Sequence, residues 1–159
     1  MPHVIIVGQA PSRTTDGALA LSGRCGEKLA QLAGFENAEQ LARAARLVNL
    51  VDRYPGTAGK GDYFPRRLGR VRATTLFREL QETRGHTIVV LLGDAVYQSF
   101  FSYRRFPYFA RDRFRDRAAG VLDFYRVPHP STVNRWWNEP ANVRRARRFF
   151  RRIFDAKAS

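Results

Sequence analysis

Short apolar runs alternate with longer amphipathic stretches along most of the chain. Four of these runs have the length and composition of strands buried on both faces, at 3–7, 46–51, 87–92 and 121–127. Apolar residues at helical spacing predict helices between them, at about 24–32, 37–45, 71–83 and 93–101, with a last helix after residue 138. This alternation predicts a three-layer α/β/α fold around a central, mostly parallel sheet of about four strands.

Two segments depart from this alternation. Residues 52–70 are rich in glycine, proline and basic residues and are predicted to form a long basic loop. Residues 102–117 interleave five aromatic side chains with six arginines, which fits either a packed surface insertion or a platform for nucleic acid. In the last helix, Val143, Phe150 and Ile153 fall on one face, while most of the arginines lie elsewhere.

Length and composition predict one domain over residues 1–159. A hydrophobic content of 44% is enough to bury one core in a chain of this size. The formal net charge is +14, and nearly all of the positive charge comes from arginine. Such a surface attracts polyanions, of which nucleic acid is the commonest inside a cell. A nucleic-acid partner is therefore expected, and an arginine-rich surface that is merely solvated is the alternative.

Cysteine usage and the N-terminal sequence limit the class of protein further. The single Cys25 excludes an internal disulfide and any zinc or iron–sulfur site built on several cysteines. The chain enters its first predicted strand at once, without a charged segment followed by a long apolar stretch. We therefore expect a cytoplasmic, monomeric protein without a signal peptide, a membrane span, a metal or another cofactor.

Two polar turns follow predicted strands that are far apart in the sequence. The segment Gly8–Ser12 reads Gly-Gln-Ala-Pro-Ser and follows the run 4–7. The segment His129–Arg135 reads His-Pro-Ser-Thr-Val-Asn-Arg and follows the strand that ends at Val127. Ligands of open α/β sheets bind at the carboxyl ends of the strands, where the loops diverge. Both turns are therefore candidates for a binding site.

Together, the two turns resemble the paired active-site motifs of the uracil-DNA glycosylase superfamily. In that family the first motif begins Gly-x-x-Pro and the second contains His-Pro-Ser. The resemblance covers roughly residues 4–154. It implies a DNA glycosylase that hydrolyses the N-glycosidic bond of uracil, or of a modified or damaged pyrimidine, flipped out of single- or double-stranded DNA.

The second motif is expected to carry the chemistry of the departing base. Cleavage leaves negative charge on the base, and a hydrogen bond to its carbonyl oxygen stabilises that charge. His129 fits this role. Pro130 fixes the local backbone of the turn, and Ser131 is expected to bind a phosphate that flanks the extruded nucleotide.

The first motif implies a pocket that lacks the carboxylate usual in the superfamily. In the superfamily this motif supplies backbone amides to the base. The substrate-binding residues that it implies here are Gly8, Gln9, Ala10, Pro11 and Ser12, of which all except Pro11 have a backbone N–H to donate. Many families also have a carboxylate in this motif that activates water, but Gln9 and Ala10 occupy the places where it usually sits. Asp16 is the nearest substitute. A solvated turn aspartate is the alternative interpretation of Asp16.

Two further positions match residues that contact the base in the superfamily. Leu21 lies where relatives have an aromatic residue that stacks on the uracil ring, and leucine stacks less well. Asn49, at the end of the second predicted strand, matches the asparagine that reads the base edge, because an amide offers a donor and an acceptor together. A buried asparagine that caps a neighbouring turn is the alternative for Asn49.

The loop after His129 matches the loop that wedges into the helix in the superfamily. Val133, Asn134 and Arg135 are the residues expected to enter or contact DNA there. Trp136 and Trp137 are expected to support the loop, to stack on bases or to anchor the last helix. Salt-dependent phosphate contacts are expected from a group of basic residues, namely Arg53, Lys60, Arg66, Arg67, Arg70 and Arg72.

Two alternatives to the glycosylase stay open. Because the first motif lacks a carboxylate, the chain could be a catalytically silent nucleic-acid-binding module that keeps the fold and the basic surface. The same pocket could also act on another nucleotide substrate.

Overall fold

The structure of the protein is a computed structural model, which describes residues 3–15, 19–59, 61–102, 105–116 and 120–158. Its strands are β1 (His3–Gly8), β2 (Arg46–Asn49), β3 (Thr57–Ala58), β4 (Gly61–Asp62), β5 (Gly85–Leu92), β6 (Arg111–Asp116) and β7 (Gly120–Val127). Its helices are α1 (Arg24–Ala33), α2 (Ala38–Ala44), α3 (Arg66–Gln81), α4 (Asp94–Phe101) and α5 (Pro140–Ala158), and a short 3₁₀ helix covers Arg135–Asn138.

The central sheet has the strand order β2-β1-β5-β7-β6. The first four strands are parallel, and β6 pairs antiparallel with β7 at the edge. The short β3 and β4 form a separate hairpin. The prediction of a mostly parallel α/β/α sheet is confirmed, but the sheet has a fifth strand beyond the four or so expected.

The fifth strand comes from the arginine-rich segment that was ambiguous in the sequence. In β6 charged residues occupy every position except Phe114, so its pattern lacks the apolar run by which the other strands were found. Charged side chains are common on edge strands because they discourage pairing with other chains. Phe114 packs edge-on against Phe124, with ring centres 5.5 Å apart. Residues 111–116 of this segment are therefore part of the sheet, while Tyr103, Arg104 and Arg117 lie outside the described residues.

A buried carboxylate with two more exposed partners holds this edge strand in place. The Asp123 carboxylate accepts two hydrogen bonds from Arg113 of β6, at 2.7 and 2.8 Å, and lies 2.8 Å from His86 Nε2 of β5. Burial raises the pKa of Asp123, but the hydrogen bonds from Arg113 and His86 lower it by more, so the pKa lies below its usual range. These contacts thus join three adjacent strands.

Alternate residues of the strands enter two separate cores. On one face, residues such as Ile6 and Tyr125 pack against α1, α2 and α5. On the other face, Val7 and Phe124 pack against α3 and α4. This is the period-two pattern of a sheet covered on both sides.

The region predicted as one long basic loop is more ordered than its composition suggested. It contains the β3–β4 hairpin, and α3 begins at Arg66 instead of residue 71. Gly69 obscured the helical signal, but it has a packing role: a Cβ there would lie 2.6 Å from the Phe64 ring and 2.9 Å from Ser99 Oγ. Within the described ranges, no helix is both long and apolar enough to cross a membrane.

Candidate active site

The carboxyl ends of the four parallel strands bring the two polar turns to one edge of the sheet. The chain passes from β1 to β2 on one side and returns to β5 on the other side of β1. A crevice opens outside the strand ends at such a reversal. Gly8 ends β1 beside Asn49 of β2, Gly93 follows β5, and the His129 turn follows β7.

The first turn continues the pairing of β1 with the chain after β2. The backbone N–H groups of Leu50 and Val51 donate to the carbonyls of Gly8 and Gln9, at 3.0 and 2.9 Å. A Cβ on Gly8 would lie 2.8 Å from Asn49 Oδ1 and 2.9 Å from Leu21 Cδ2. Glycine is therefore needed at position 8, since two side chains from other segments close over it.

Asn49 presents an acceptor that the described residues leave unused. Its Oδ1 is buried and has no hydrogen-bond partner in the described part of the chain. Buried acceptors without a partner are rare, because desolvation is then uncompensated. Leu21, on the other side of Gly8, has a φ of +56°, a conformation that costs energy for a leucine and places its side chain against this turn.

The remainder of the first turn makes local contacts. The Ser12 hydroxyl lies 3.1 Å from Thr14 Oγ1 and 2.9 Å from Thr15 Oγ1, and the Ser12 N–H donates to Thr15 Oγ1 at 2.9 Å. Pro11 is buried, and Ala10 is half-buried. Asp16, the predicted substitute base, lies outside the described residues, as does Lys60.

The second turn holds the His129 ring in a defined orientation. The backbone N–H of Ser131 donates to His129 Nδ1 at 3.2 Å. A neutral imidazole whose Nδ1 accepts a hydrogen bond carries its proton on Nε2. In that neutral form the proton of the half-buried ring is on Nε2.

The backbone of His129 is fixed as well. Its carbonyl accepts from Trp137 Nε1 at 2.7 Å and from Asn134 Nδ2 at 3.1 Å. Asn134 Oδ1 in turn accepts the Trp136 N–H at 3.1 Å, so the amide is engaged at both ends within its own loop. Trp137 is buried, and the Lys28 ammonium lies 4.3 Å from its ring centre. Burial lowers the pKa of Lys28.

Gly93 lets the two turns border one space. Its φ is +88°, and a Cβ there would lie 3.0 Å from His129 Cβ and 3.5 Å from Gln9 Nε2. Its N–H donates to the Val127 carbonyl at 2.7 Å. The first and second turns thus approach each other across a residue without a side chain, as the sequence predicted for an edge shared by both.

This geometry can be set beside known proteins. The sequence model of the Uracil DNA glycosylase superfamily matches residues 1–156 of the chain.

The chain belongs to the uracil-DNA glycosylase superfamily. The comparison with curated proteins finds no match. Two contact groups lie at this edge of the sheet. One consists of Gly8, Leu21 and Asn49, and the other consists of Gln9 and His129 around Gly93. The first turn has a neutral amide at Gln9 and a methyl group at Ala10, the two positions where the motif resemblance predicts a carboxylate in many families.

The loop expected to wedge into DNA projects from the protein. Val133 is 86% exposed, which is unusual for a valine and leaves its side chain available to a partner. Arg135 is exposed beside it. The Asn134 side chain, predicted to contact DNA, donates a hydrogen bond to the His129 carbonyl. A DNA contact by this side chain stays a prediction.

The predicted phosphate contacts lie around the same edge. Arg53 follows β2 and is exposed. Arg66 and Arg67 are exposed in the first turn of α3, which lies toward this edge because α3 ends just before β5 begins. Arg70 is exposed one turn further along α3. Arg72 is partly engaged, since its Nη2 donates to Asp52 at 3.2 Å.

Sequence reasoning missed a network that braces the end of β7. Arg126 donates from Nε to Asp94 Oδ1 at 3.0 Å and from Nη1 to the Phe106 carbonyl at 2.7 Å. The Tyr108 hydroxyl donates to the same Asp94 oxygen at 3.3 Å. Burial and the Asp94 charge raise the pKa of Tyr108, which keeps this donor protonated. No local pattern pairs residues this far apart in the sequence.

Gly93 was also missed as a site residue, although the sequence held a signal for it. A glycine directly after a buried strand is the feature that marked Gly8, and Gly93 follows the strand that ends at Leu92. In the described part of the chain, no group of three or more His, Cys, Asp or Glu side chains is placed to hold a metal ion.

Proposed function

We propose that this superfamily member is a DNA glycosylase that hydrolyses the N-glycosidic bond of uracil, or of a modified or damaged pyrimidine, flipped out of DNA. The orientation of His129 carries the proposal. Its Nδ1 accepts the Ser131 N–H, which in a neutral imidazole puts the proton on Nε2, and the ring lies at the edge where both turns meet. Uracil-DNA glycosylase superfamily members act on DNA, and the net charge of +14 supports a polyanionic substrate.

In the proposed reaction the bond between C1′ of the sugar and N1 of the base breaks, and its electron pair leaves with the base. The negative charge spreads onto the O2 carbonyl, where His129 Nε2–H donates a hydrogen bond. A preorganised donor of this kind stabilises the transition state more than the ground state, because the charge develops only as the bond breaks. Water supplies hydroxide to C1′, and its proton neutralises the departing base.

The base would be recognised by the contact group around Gly8. The unused Asn49 Oδ1 would accept the N3–H of uracil, while Nδ2 would donate to O4. This pairing would give the buried oxygen the partner that it lacks among the described residues. Leu21 would pack on the face of the ring, and the aliphatic side chain gives weaker stacking than an aromatic residue, so modified pyrimidines belong to the proposed substrate range.

The activation of water is the open chemical step. Because Gln9 and Ala10 cannot act as a general base, this role would fall to Asp16. Otherwise the reaction would depend on the leaving group and His129 alone. General base help contributes roughly 10²–10⁴ in rate. Without it, excision should proceed at a modest rate, favoured by bases that are good leaving groups.

A second candidate function is favoured by the same lack of a carboxylate in the first turn. A first turn with no carboxylate fits a catalytically silent module that binds nucleic acid through Arg53, Arg66, Arg67 and the Val133 loop. Such a module would keep the pocket and the basic surface but release no base. An enzyme that uses the pocket for another nucleotide substrate is a separate alternative.

Base excision measured beside DNA binding decides between these functions. Single-turnover assays would use single- and double-stranded oligonucleotides that contain uracil, hydroxymethyluracil, hypoxanthine or mismatched thymine. The glycosylase predicts abasic sites with at least one substrate, formed more slowly by a factor on the order of 10²–10³ in His129→Ala. Tight, salt-dependent binding without any released base would overturn the glycosylase and favour the binding module.

A further inference from the structure

One face of α5 carries a stripe of arginines that the candidate active site does not use. Arg144, Arg147, Arg148 and Arg151 are all exposed. Residues at this spacing share one face of a helix, and from the first to the last they span about 10 Å along the axis. These four residues are called the α5 stripe below.

Other arginines of α5 behave differently, which separates the stripe from general surface charge. Arg145 donates to the Tyr108 carbonyl at 2.9 Å and lies 5.2 Å from the centre of the Phe109 ring. Arg152 lies 6.0 Å from the centre of the Phe149 ring. Both therefore cover parts of the protein itself, whereas the stripe faces solvent.

The charges of the stripe are not neutralised within the part of the chain that the structure describes. Among the described residues, none of the four arginines forms an ion pair, and Asp155 is the only acidic residue in the sequence of α5. Elsewhere arginines do have such partners, as Arg43 has Glu39 and Arg46 has Glu79. The stripe thus concentrates positive charge that an external polyanion could neutralise.

This concentration has a cost in the isolated protein. Like charges three or four positions apart destabilise a helix by about 0.2–0.5 kcal/mol for each pair, depending on salt. Four such pairs occur within the stripe, between Arg144 and both Arg147 and Arg148, and between Arg151 and the same two. The opposite, apolar face of the helix is buried in the protein through Ala146, Phe150 and Ile153. It is therefore not available to insert into a bilayer beneath the charges.

We propose that the α5 stripe is a second DNA-binding surface, which contacts the phosphate backbone of duplex DNA outside the base pocket and does not read sequence. Guanidinium groups bind phosphate oxygens in a two-pronged geometry, and exposed arginines release condensed counterions when they do so. The partner follows from the proposed function, but the binding does not depend on catalysis.

The position of α5 in the fold indicates which part of the DNA the stripe would contact. The helix starts at Pro140, shortly after the His129 turn, and its 19 residues extend about 28 Å. The stripe therefore begins about 6 Å along the helix and ends about 17 Å along it. It would contact backbone that flanks the extruded nucleotide, which lengthens the footprint of the protein beyond the two turns.

The test compares two variants with equal loss of charge. In the first, Arg144, Arg147, Arg148 and Arg151 are all replaced by Gln. In the matched control, four exposed arginines outside α5 are replaced by Gln, at Arg43, Arg78, Arg84 and Arg115. Binding to a long uracil-free duplex is measured over a range of salt concentrations for both and for the unaltered protein.

The proposal predicts a loss confined to the stripe variant. The slope of log affinity against log salt should fall by about 3 to 4, because each phosphate contact contributes close to 0.9. Affinity at low salt should fall at least tenfold, while the control changes slope by less than about 1. Replacing the same four residues by Lys should keep the slope, since a lysine also neutralises a phosphate. The melting temperature of the stripe variant should equal or exceed that of the unaltered protein, which shows that it is folded.

Three results would overturn the proposal. They are an unchanged salt slope in the stripe variant, an equal loss in the stripe variant and the control, and a loss of binding to phosphatidylserine vesicles without a loss of binding to DNA. Single-turnover base release at saturating enzyme separates this inference from the proposed function. Release should be equal in the stripe variant and the unaltered protein, and if neither releases a base, the binding measurements still decide the role of the stripe.

Discussion

The turn after β7 and the turn after β1 border the same space, but they are held in different ways. In the turn after β7, hydrogen bonds fix both the His129 ring and its carbonyl, through Ser131, Asn134 and Trp137. The turn after β1 is held mainly by its backbone, which continues the pairing of β1 with the residues after β2. Its side chains at Gln9 and Ala10 carry no charge.

This difference separates two tasks that a glycosylase has to perform. Stabilising a departing base needs a donor at a fixed point, and fixed orientation is what the turn after β7 provides. Shaping a pocket needs close backbone approach, which Gly8 provides in the turn after β1. A carboxylate assists the activation of water, and neither turn has one. For the proposed reaction, the two turns thus supply the groups for the leaving base more completely than those for activating water.

The largest effect should come from giving the first turn the charge it lacks. Gln9→Glu keeps the shape of the side chain and places a carboxylate beside Gly93 and His129. We expect single-turnover excision of uracil to rise by roughly 10²–10⁴, the usual contribution of a general base. Gln9→Met has a similar shape without charge and should give no gain. If Gln9→Glu is no faster than the unaltered protein, the missing carboxylate is not what limits the first turn.

Removing the fixed donor of the second turn should have the next largest effect. His129→Ala should lower the rate of base release by a factor on the order of 10²–10³, because one transition-state hydrogen bond is lost. DNA affinity should change little, since phosphate contacts dominate binding. Ser131→Ala is the matched control: the backbone N–H that holds the ring remains, so the rate should fall far less. Equal turnover in His129→Ala and the unaltered protein would remove His129 from the mechanism.

A change of base preference should follow from Asn49→Asp. The carboxylate would face O4 of uracil with an acceptor and would accept from the N4 amino group of cytosine instead. We expect the preference for uracil over cytosine to fall roughly tenfold to a hundredfold, in line with about 1–3 kcal/mol for a good contact to a base. Parallel excision assays with both bases and thermal melting measure this. A variant that loses stability without a change of preference would show that Asn49 has a structural role only.

The smallest effect should come from loosening the brace behind His129. Trp137→Phe keeps an aromatic ring in the core but removes the hydrogen bond to the His129 carbonyl, which retains the one from Asn134. We expect a stability loss of about 1 kcal/mol and a melting temperature lower by roughly 2–4 °C. The rate of base release should fall by less than about tenfold. Trp136→Phe, whose indole nitrogen makes no hydrogen bond to described residues, should change neither, and similar effects of both substitutions would contradict a specific brace.

The layers of the fold and both turns could be predicted from the sequence because each depends on neighbours in the chain. The apolar runs that became β1, β2, β5 and β7 carry their signal in consecutive residues. The same holds for the turns, since glycine and proline fix the backbone locally. The edge strand β6 was not predicted, because all of its residues except Phe114 are charged and leave no apolar run. Only its pairing with β7 makes it a strand.

Which side chains meet was decided by the tertiary structure alone. Parallel register places Asn49 beside Gly8, and the order of the strands places Gly93 between Gln9 and His129. Asn134 could not be assigned from sequence, because an exposed loop amide and one that clamps the His129 carbonyl look identical there. Periodicity determines which residues turn inward, but contacts between strands and loops far apart in the chain depend on register and strand order, which no local pattern contains.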